Sequence, residues 1–245
     1  MMFPFFYFFY LNPILIAAAV IPALVLLVKV YRADRREKES SGLLVNLVLR
    51  GVAATVFAML TEWIGEFLLS SFVQEGTVLY NFLLYFIVVA VSEEGFKYLF
   101  MKSRTWRSHE FNFQFDGVVY AVFVSLGFAL WENISYVLMY GFGTALIRAV
   151  TAVPGHACFG VFMGAWYGLA KKYESYGMPS QSKACRVVAL LSSIVLHGCY
   201  DFTASIENQN YAWIFVVFVV AMFFVAFRLV KKLSDNDRYV GRMQW

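Results

Sequence analysis

Seven apolar stretches, each long enough to cross a lipid bilayer, constrain this chain more than any other feature. They run over Phe5–Val30, Leu43–Leu69, Thr77–Phe100, Gly117–Tyr140, Leu146–Leu169, Val187–Ser205 and Tyr211–Val230. A hydrocarbon core of about 30 Å is crossed by about 20 residues of α-helix. The predicted fold is therefore an all-α polytopic membrane protein, with residues 1–245 forming a single transmembrane domain. No appended soluble domain is expected within it. Spans 3–6, residues 77–205, carry the unusual side chains discussed below. Residues 5–69 and 211–232 read as peripheral scaffold helices.

Composition agrees. Apolar residues make up 61% of the chain and charged residues 15%, where a soluble domain carries about 25% charge. A water-soluble globule must cover its surface with polar groups, and this chain cannot. Cys158, Cys185 and Cys199 are too few and too odd in number for a disulfide framework and read as small buried apolar residues. The first stretch lacks a positive n-region and its basic residues follow the apolar run, so it reads as a first helix and not as a signal peptide. Of the 20 Lys and Arg, 17 fall in the loops or tails after spans 1, 3, 5 and 7. The connections after spans 2, 4 and 6 contain none. By the positive-inside rule the N-terminus is outside, the C-terminus is cytoplasmic, and the chain is a multi-pass protein of the cell membrane. The basic loops are topology signals and contacts to anionic lipid, not a nucleic-acid surface. No oligomeric state is implied.

Ionisable groups inside spans cost at least ~2.5–3.5 kcal/mol each at the bilayer centre, so each needs a reason. They are Arg50, Glu62, Glu66, Glu93, Glu94, Lys97, Glu132, His156, His197 and Asp201, with Asp116 and Arg148 at span ends. Arg50 lies near the cytoplasmic end of its span and can snorkel. Glu62 and Glu66 share one face near the outer end of span 2 and read as a solvated rim or a polar mouth. The others gather in depth. At 1.5 Å per residue, Glu93 and Glu94 lie about 6–8 Å to the cytoplasmic side of their span's centre, and Glu132 about 6 Å to the outer side. His156 and His197 lie within about 3 Å of theirs. If the helices bundle, carboxylates and imidazoles from four spans converge.

Spacing adds detail. Lys97 is i+4 from Glu93 and i+3 from Glu94 and can pair with either. His197 and Asp201 are i and i+4, so the carboxylate can orient the imidazole or share a metal with it. Gly160, Gly164 and Gly168 continue the face of His156 at i+4 steps, where glycines admit close approach of another helix. Glu132 and Asn133 place a carboxylate and an amide side by side, either able to hold a water or a peptide carbonyl.

Glu93-Glu94-x-x-Lys97, Glu132-Asn133, His156 and His197-x-x-x-Asp201, in that order on successive apolar helices, resemble the PrsW family of intramembrane proteases, within the wider superfamily of CAAX prenyl endopeptidases. The resemblance spans Tyr80 to Asp201. It implies a peptidase that cuts a membrane-anchored substrate, a single-pass protein such as an anti-sigma factor. It also implies Glu93, Glu94, His156 and His197 as catalytic residues, supported by Asp201. CAAX endopeptidases carry the basic residue one position later, and a Phe where this chain has Ala152, so the PrsW branch fits better than a prenyl-protein protease.

Two hydrolytic chemistries fit. In one, Glu93 or Glu94 activates water and the two histidines stabilise the oxyanion, with no cofactor. In the other, His156, His197 and Asp201 or a glutamate hold Zn²⁺. There is no HExxH, since His109-Glu110 is followed by Phe111-Asn112-Phe113. There is no GxSxG and no GxGD either. The same intramembrane carboxylates and histidines also suit a proton- or ion-coupled transporter, although no inverted repeat is evident.

Overall fold

The computed structural model describes residues 13–206, 208, 210 and 212–241. Seven membrane-length spans are present among them. Spans 1 and 2 are α1 (Pro13–Ala33) and α2 (Ser41–Ser70). Span 3 is composite: α3 (Val78–Leu83), a π-helical segment (Leu84–Val89) and α4 (Ala90–Thr105). Span 4 is α5 (Asp116–Tyr140), and span 5 divides into α6 (Phe142–Val150) and α7 (Ala152–Ser175). Spans 6 and 7 are α8 (Pro179–Ala204) and α9 (Ala212–Asp235).

The spans match the expected ones apart from their ends and two irregularities. The beginning of the expected first stretch, residues 5–12, lies outside the described residues. Leu146–Leu169 was expected to be one helix but is broken at Thr151, whose φ of −121° and ψ of −72° leave the helical range. The cause is Pro154, third in α7. It has no N–H to offer the carbonyl of Val150, and its ring crowds that carbonyl. His156 consequently sits near the start of α7. The π-helical segment precedes Glu93 by one turn, and such segments fit one extra residue into a helix.

Helix α5 is the hub. In its apolar window 78% of residues are buried, against 17–22% in α1, α8 and α9. It packs on α7, α2 and α1. The glycine stripe explains the closest of these contacts. A Cβ on Gly164 would lie 2.4 Å from the carbonyl oxygen of Gly117, and one on Gly168 would lie 2.0 Å from that of Gln114. The outward faces of α1, α2 and α9 present large apolar side chains such as Val28, Leu60, Val220 and Phe224, the surface that lipid covers.

At the end of the bundle that carries the Lys/Arg-rich connections, here the basic face, three segments are laced together. The Phe115 amide donates to Asp237 Oδ1 (2.8 Å), and the Ser40 amide donates to Glu110 Oε2 (3.0 Å). Gln114 N–H donates to the carbonyl of Arg238, and Val240 N–H to that of Asn112. Arg35 pairs with Asp235 at 2.7 Å. Asp34 and Glu39 are buried inside this lacing. Burial pushes the Asp34 carboxyl from 3.8 to about 6, with Asp237 and Glu37 adding to the rise and Lys38 opposing it. Burial likewise pushes Glu39 from 4.5 to about 8, with Glu110 and Asp34 adding and the Tyr120 hydroxyl and Asp116 opposing.

Both folded values exceed the unfolded ones, so the folded state holds these protons more tightly. The stability they contribute is complete below about pH 4 and is lost as pH rises through about 6 and then about 8. The melting temperature of the detergent-solubilised protein should fall between about pH 5 and about pH 9. Glu39→Gln should flatten the upper part of that fall. A wild-type profile that is flat, or that rises, counts against this account.

Candidate active site

The site is organised around a fully buried ammonium. Lys97 Nζ donates to Glu93 Oε2 (2.9 Å), Glu94 Oε1 (2.7 Å) and His156 Nδ1 (3.1 Å). That uses all three of its protons. It also stands 3.9 Å from the Phe128 ring centroid. The i+3 and i+4 spacings bring both glutamates to one lysine because they lie on neighbouring rows of one helix face. Lys97 takes both partners and not one of them.

This fixes the histidines. An ammonium only donates, so His156 Nδ1 accepts, the ring proton is on Nε2, and Nε2–H donates to Glu132 Oε2 at 2.7 Å. His197 has a carboxylate on each nitrogen: Glu94 Oε1 lies 3.0 Å from Nδ1 and Asp201 Oδ2 lies 3.1 Å from Nε2. Carboxylates accept, so both N–H groups donate. The two imidazoles stand edge to face, 5.4 Å apart. Phe159 stacks on His197 at 4.7 Å. Four spans thus converge, as the depths of these residues in the sequence suggested.

A cavity of about 360 Å³ opens onto this group. Glu93, His156, His197, Glu132 and Asp201 line it. Glu94 and Lys97 lie behind its wall, and their side chains have no exposed surface. The Glu93 side chain is 8% exposed, Glu132 19% and Asp201 23%. Asn133, read as a holder of water or substrate, is buried away from the cavity. Its Nδ2 donates to the Ala19 carbonyl (2.8 Å) and its Oδ1 accepts from Arg148 Nε (3.0 Å), so it ties α5 to α1 and α6.

Other wall residues were not singled out as site residues. Arg148 reaches within 3.1 Å of Glu132 Oε1 and lies over the Tyr136 ring. From its sequence position at a span end it had no distinguishing mark. Glu62 and Glu66, on a helix read as scaffold, also line the cavity. The polar-mouth reading of their shared face was the signal for them.

The carboxylate and imidazole atoms of Glu93, Glu94, His156 and His197 all lie within 4.8 Å of one another, close enough in number and chemistry to ligate a divalent ion. Asp201 is not in that set; it lies on the far nitrogen of His197. Lys97 Nζ, however, is hydrogen-bonded to three of the four. A divalent ion at their centre would face an ammonium at close range in a low-dielectric interior. As built, the cage fits the lysine and does not fit a metal beside it.

The sequence profile described as PrsW family intramembrane metalloprotease matches residues 39–227. The chain is 32% identical over 224 residues to Protease PrsW of Halalkalibacterium halodurans, covering 91% of this chain and 99% of that one. It is 30% identical to Protease PrsW of Oceanobacillus iheyensis, covering 91% and 97%. To Protease PrsW of Bacillus subtilis it is 27% identical, covering 94% and 98%. No solved structure matches the chain.

Proposed function

The chain belongs to the PrsW family of intramembrane proteases, and from that premise we propose a glutamate-activated water as its nucleophile. It is a multi-pass membrane protease, and its substrate is a membrane protein. The observation that carries the mechanism is the asymmetry of the glutamate pair: Glu93 lines the cavity and Glu94 does not.

Glu93 takes a proton from a water in the cavity, and the resulting hydroxide adds to the peptide carbonyl carbon. The negative charge that develops on the carbonyl oxygen is stabilised by N–H donors already in place. These are the Nε2–H groups of His156 and His197, which Glu132 and Asp201 accept in the resting state. Those two carboxylates are the more exposed partners and give way to the substrate. Glu93 then returns its proton to the departing amine as the C–N bond breaks. Glu94 and Lys97 hold the imidazoles and Glu93 in register and touch no substrate.

We place the basic face in the cytoplasm, since 17 of the 20 Lys and Arg flank it in sequence. A single-pass protein such as an anti-sigma factor is the proposed substrate. The zinc alternative, with His156, His197 and a carboxylate as ligands, is set aside because Lys97 fills the cage. The test is cleavage of a single-pass substrate by purified protein before and after exhaustive treatment with a strong chelator. Activity should persist undiminished. Loss on chelation with recovery on added zinc would falsify the metal-free reading.

A further inference from the structure

A second and larger cavity, of about 1600 Å³, opens on the basic face and shares no lining residue with the first. It lies between the ends of α4 and α7, the first turns of α8 and the segment around Tyr239. Lys102, Arg107, Lys171 and Arg186 line it, and Glu174 is the acidic residue among the described residues of its wall. Among the described residues Lys102, Arg107 and Arg186 converge on one concavity, which is more than a topology signal requires, because basic residues that only set orientation need not converge.

The floor is built to hold these cations in place. Trp106 lies under two of them, with Arg186 Cζ 4.7 Å and Lys171 Nζ 5.3 Å from its ring. Lys171 also donates to the Trp106 carbonyl at 2.8 Å. Arg186 Nε is shielded from solvent and has no hydrogen-bond partner, an unmet donor of the kind that marks a missing acceptor. Lys102, Arg107 and Arg186 form no ion pair with a carboxylate among the described residues. A guanidinium beside ammonium groups matches the oxygens of a phosphate group. One wall is Leu99, 56% exposed on the outward side of α4, so the cavity borders the region that lipid tails occupy.

We propose that this cavity is a binding site for a phosphate-bearing anion, with Arg186 and Lys102 holding the phosphate and Arg107 at the rim. Two sources share that chemistry: the headgroup of an anionic phospholipid and a soluble phosphate.

The test uses the full chain in neutral detergent and three probes: dihexanoyl phosphatidylglycerol, dihexanoyl phosphatidylcholine and inorganic phosphate. The readout is a saturable rise in melting temperature. Phosphatidylglycerol should give it and the zwitterionic lipid should not. A rise with phosphatidylglycerol alone assigns a lipid headgroup, whereas an equal rise with inorganic phosphate assigns the soluble anion. Lys102→Gln with Arg107→Gln should weaken binding at least about tenfold. Both side chains are at least partly exposed, so this variant keeps the fold even if Arg186→Gln, which loses its stacking on Trp106, does not. Lys183→Gln, exposed and outside the cavity, should bind as the wild type does. The proposal is overturned if neither anion shifts the melting temperature. It is equally overturned if Lys183→Gln weakens binding as much as the cavity variant, which would mean general attraction to a basic surface.

Discussion

Glu93→Gln should abolish proteolysis, lowering the rate by about 10³-fold or more, while the purified protein melts within a few degrees of wild type. The amide keeps an oxygen that can accept from Lys97 but cannot take a proton from water. Glu94→Gln should behave differently. Glu94 Oε1 accepts from both Lys97 and His197 with no exposed surface, so neutralising it leaves two buried donors short of a charged acceptor. That variant should lose activity and stability together, the latter by a few kcal/mol. Single-turnover cleavage and thermal melting on the same preparations separate the two. Were Glu94→Gln inactive at full stability and Glu93→Gln active, the roles assigned here would be reversed.

Lys97→Met should be the most destabilising single change in the site. Removing one partner from a buried ion-paired group costs about 3–5 kcal/mol, because the remaining charges keep their desolvation penalty and lose their compensation. Here two carboxylates and the acceptor nitrogen of His156 lose their common donor at once. The same variant tests the cage from the other side, since it keeps all four potential metal ligands and removes the ammonium among them. Zinc should stabilise Lys97→Met and leave the wild type unchanged in the same melting assay. Zinc stabilisation of the wild type itself would mean that the lysine does not fill the cage.

Much of this was legible in the sequence, and the limits have physical reasons. Hydropathy gives the number of spans and the depth of each residue, and depth was enough to predict that Glu93, Glu94, His156 and His197 meet. Helical spacing gave the Lys97 and Asp201 pairings, because i+3 and i+4 neighbours are set by backbone geometry alone. The direction a side chain takes around its own axis depends on which helices pack beside it. For that reason the face of Glu62 stayed open between rim and mouth, and Asn133 looked free for substrate when both ends of its amide tie helices together. The break at Thr151 has a local sign in Pro154, which the length and mean hydropathy of the stretch do not register. The lacing of the basic face depends on backbone groups from segments far apart in sequence, which no local pattern registers.

The backbone-to-backbone contact between α5 and α7 also determines which parts of the bundle can move. Gly117 faces Gly164, and Gln114 faces Gly168, with no side chain between them. These helices therefore cannot slide or part without losing contact along their length, and they act as a fixed frame for His156 and Glu132. The seam of α3 and the π-helical segment against α8 is of another kind. It is closed by the rings of Phe82, Phe86 and Phe202, at centroid distances of 4.7–6.2 Å. Phe86 lies directly on Gly198, where a Cβ would stand 2.4 Å from its ring, so the ring takes the space of the missing side chain. The bundle is thus held backbone against backbone at one seam and ring against ring at the other.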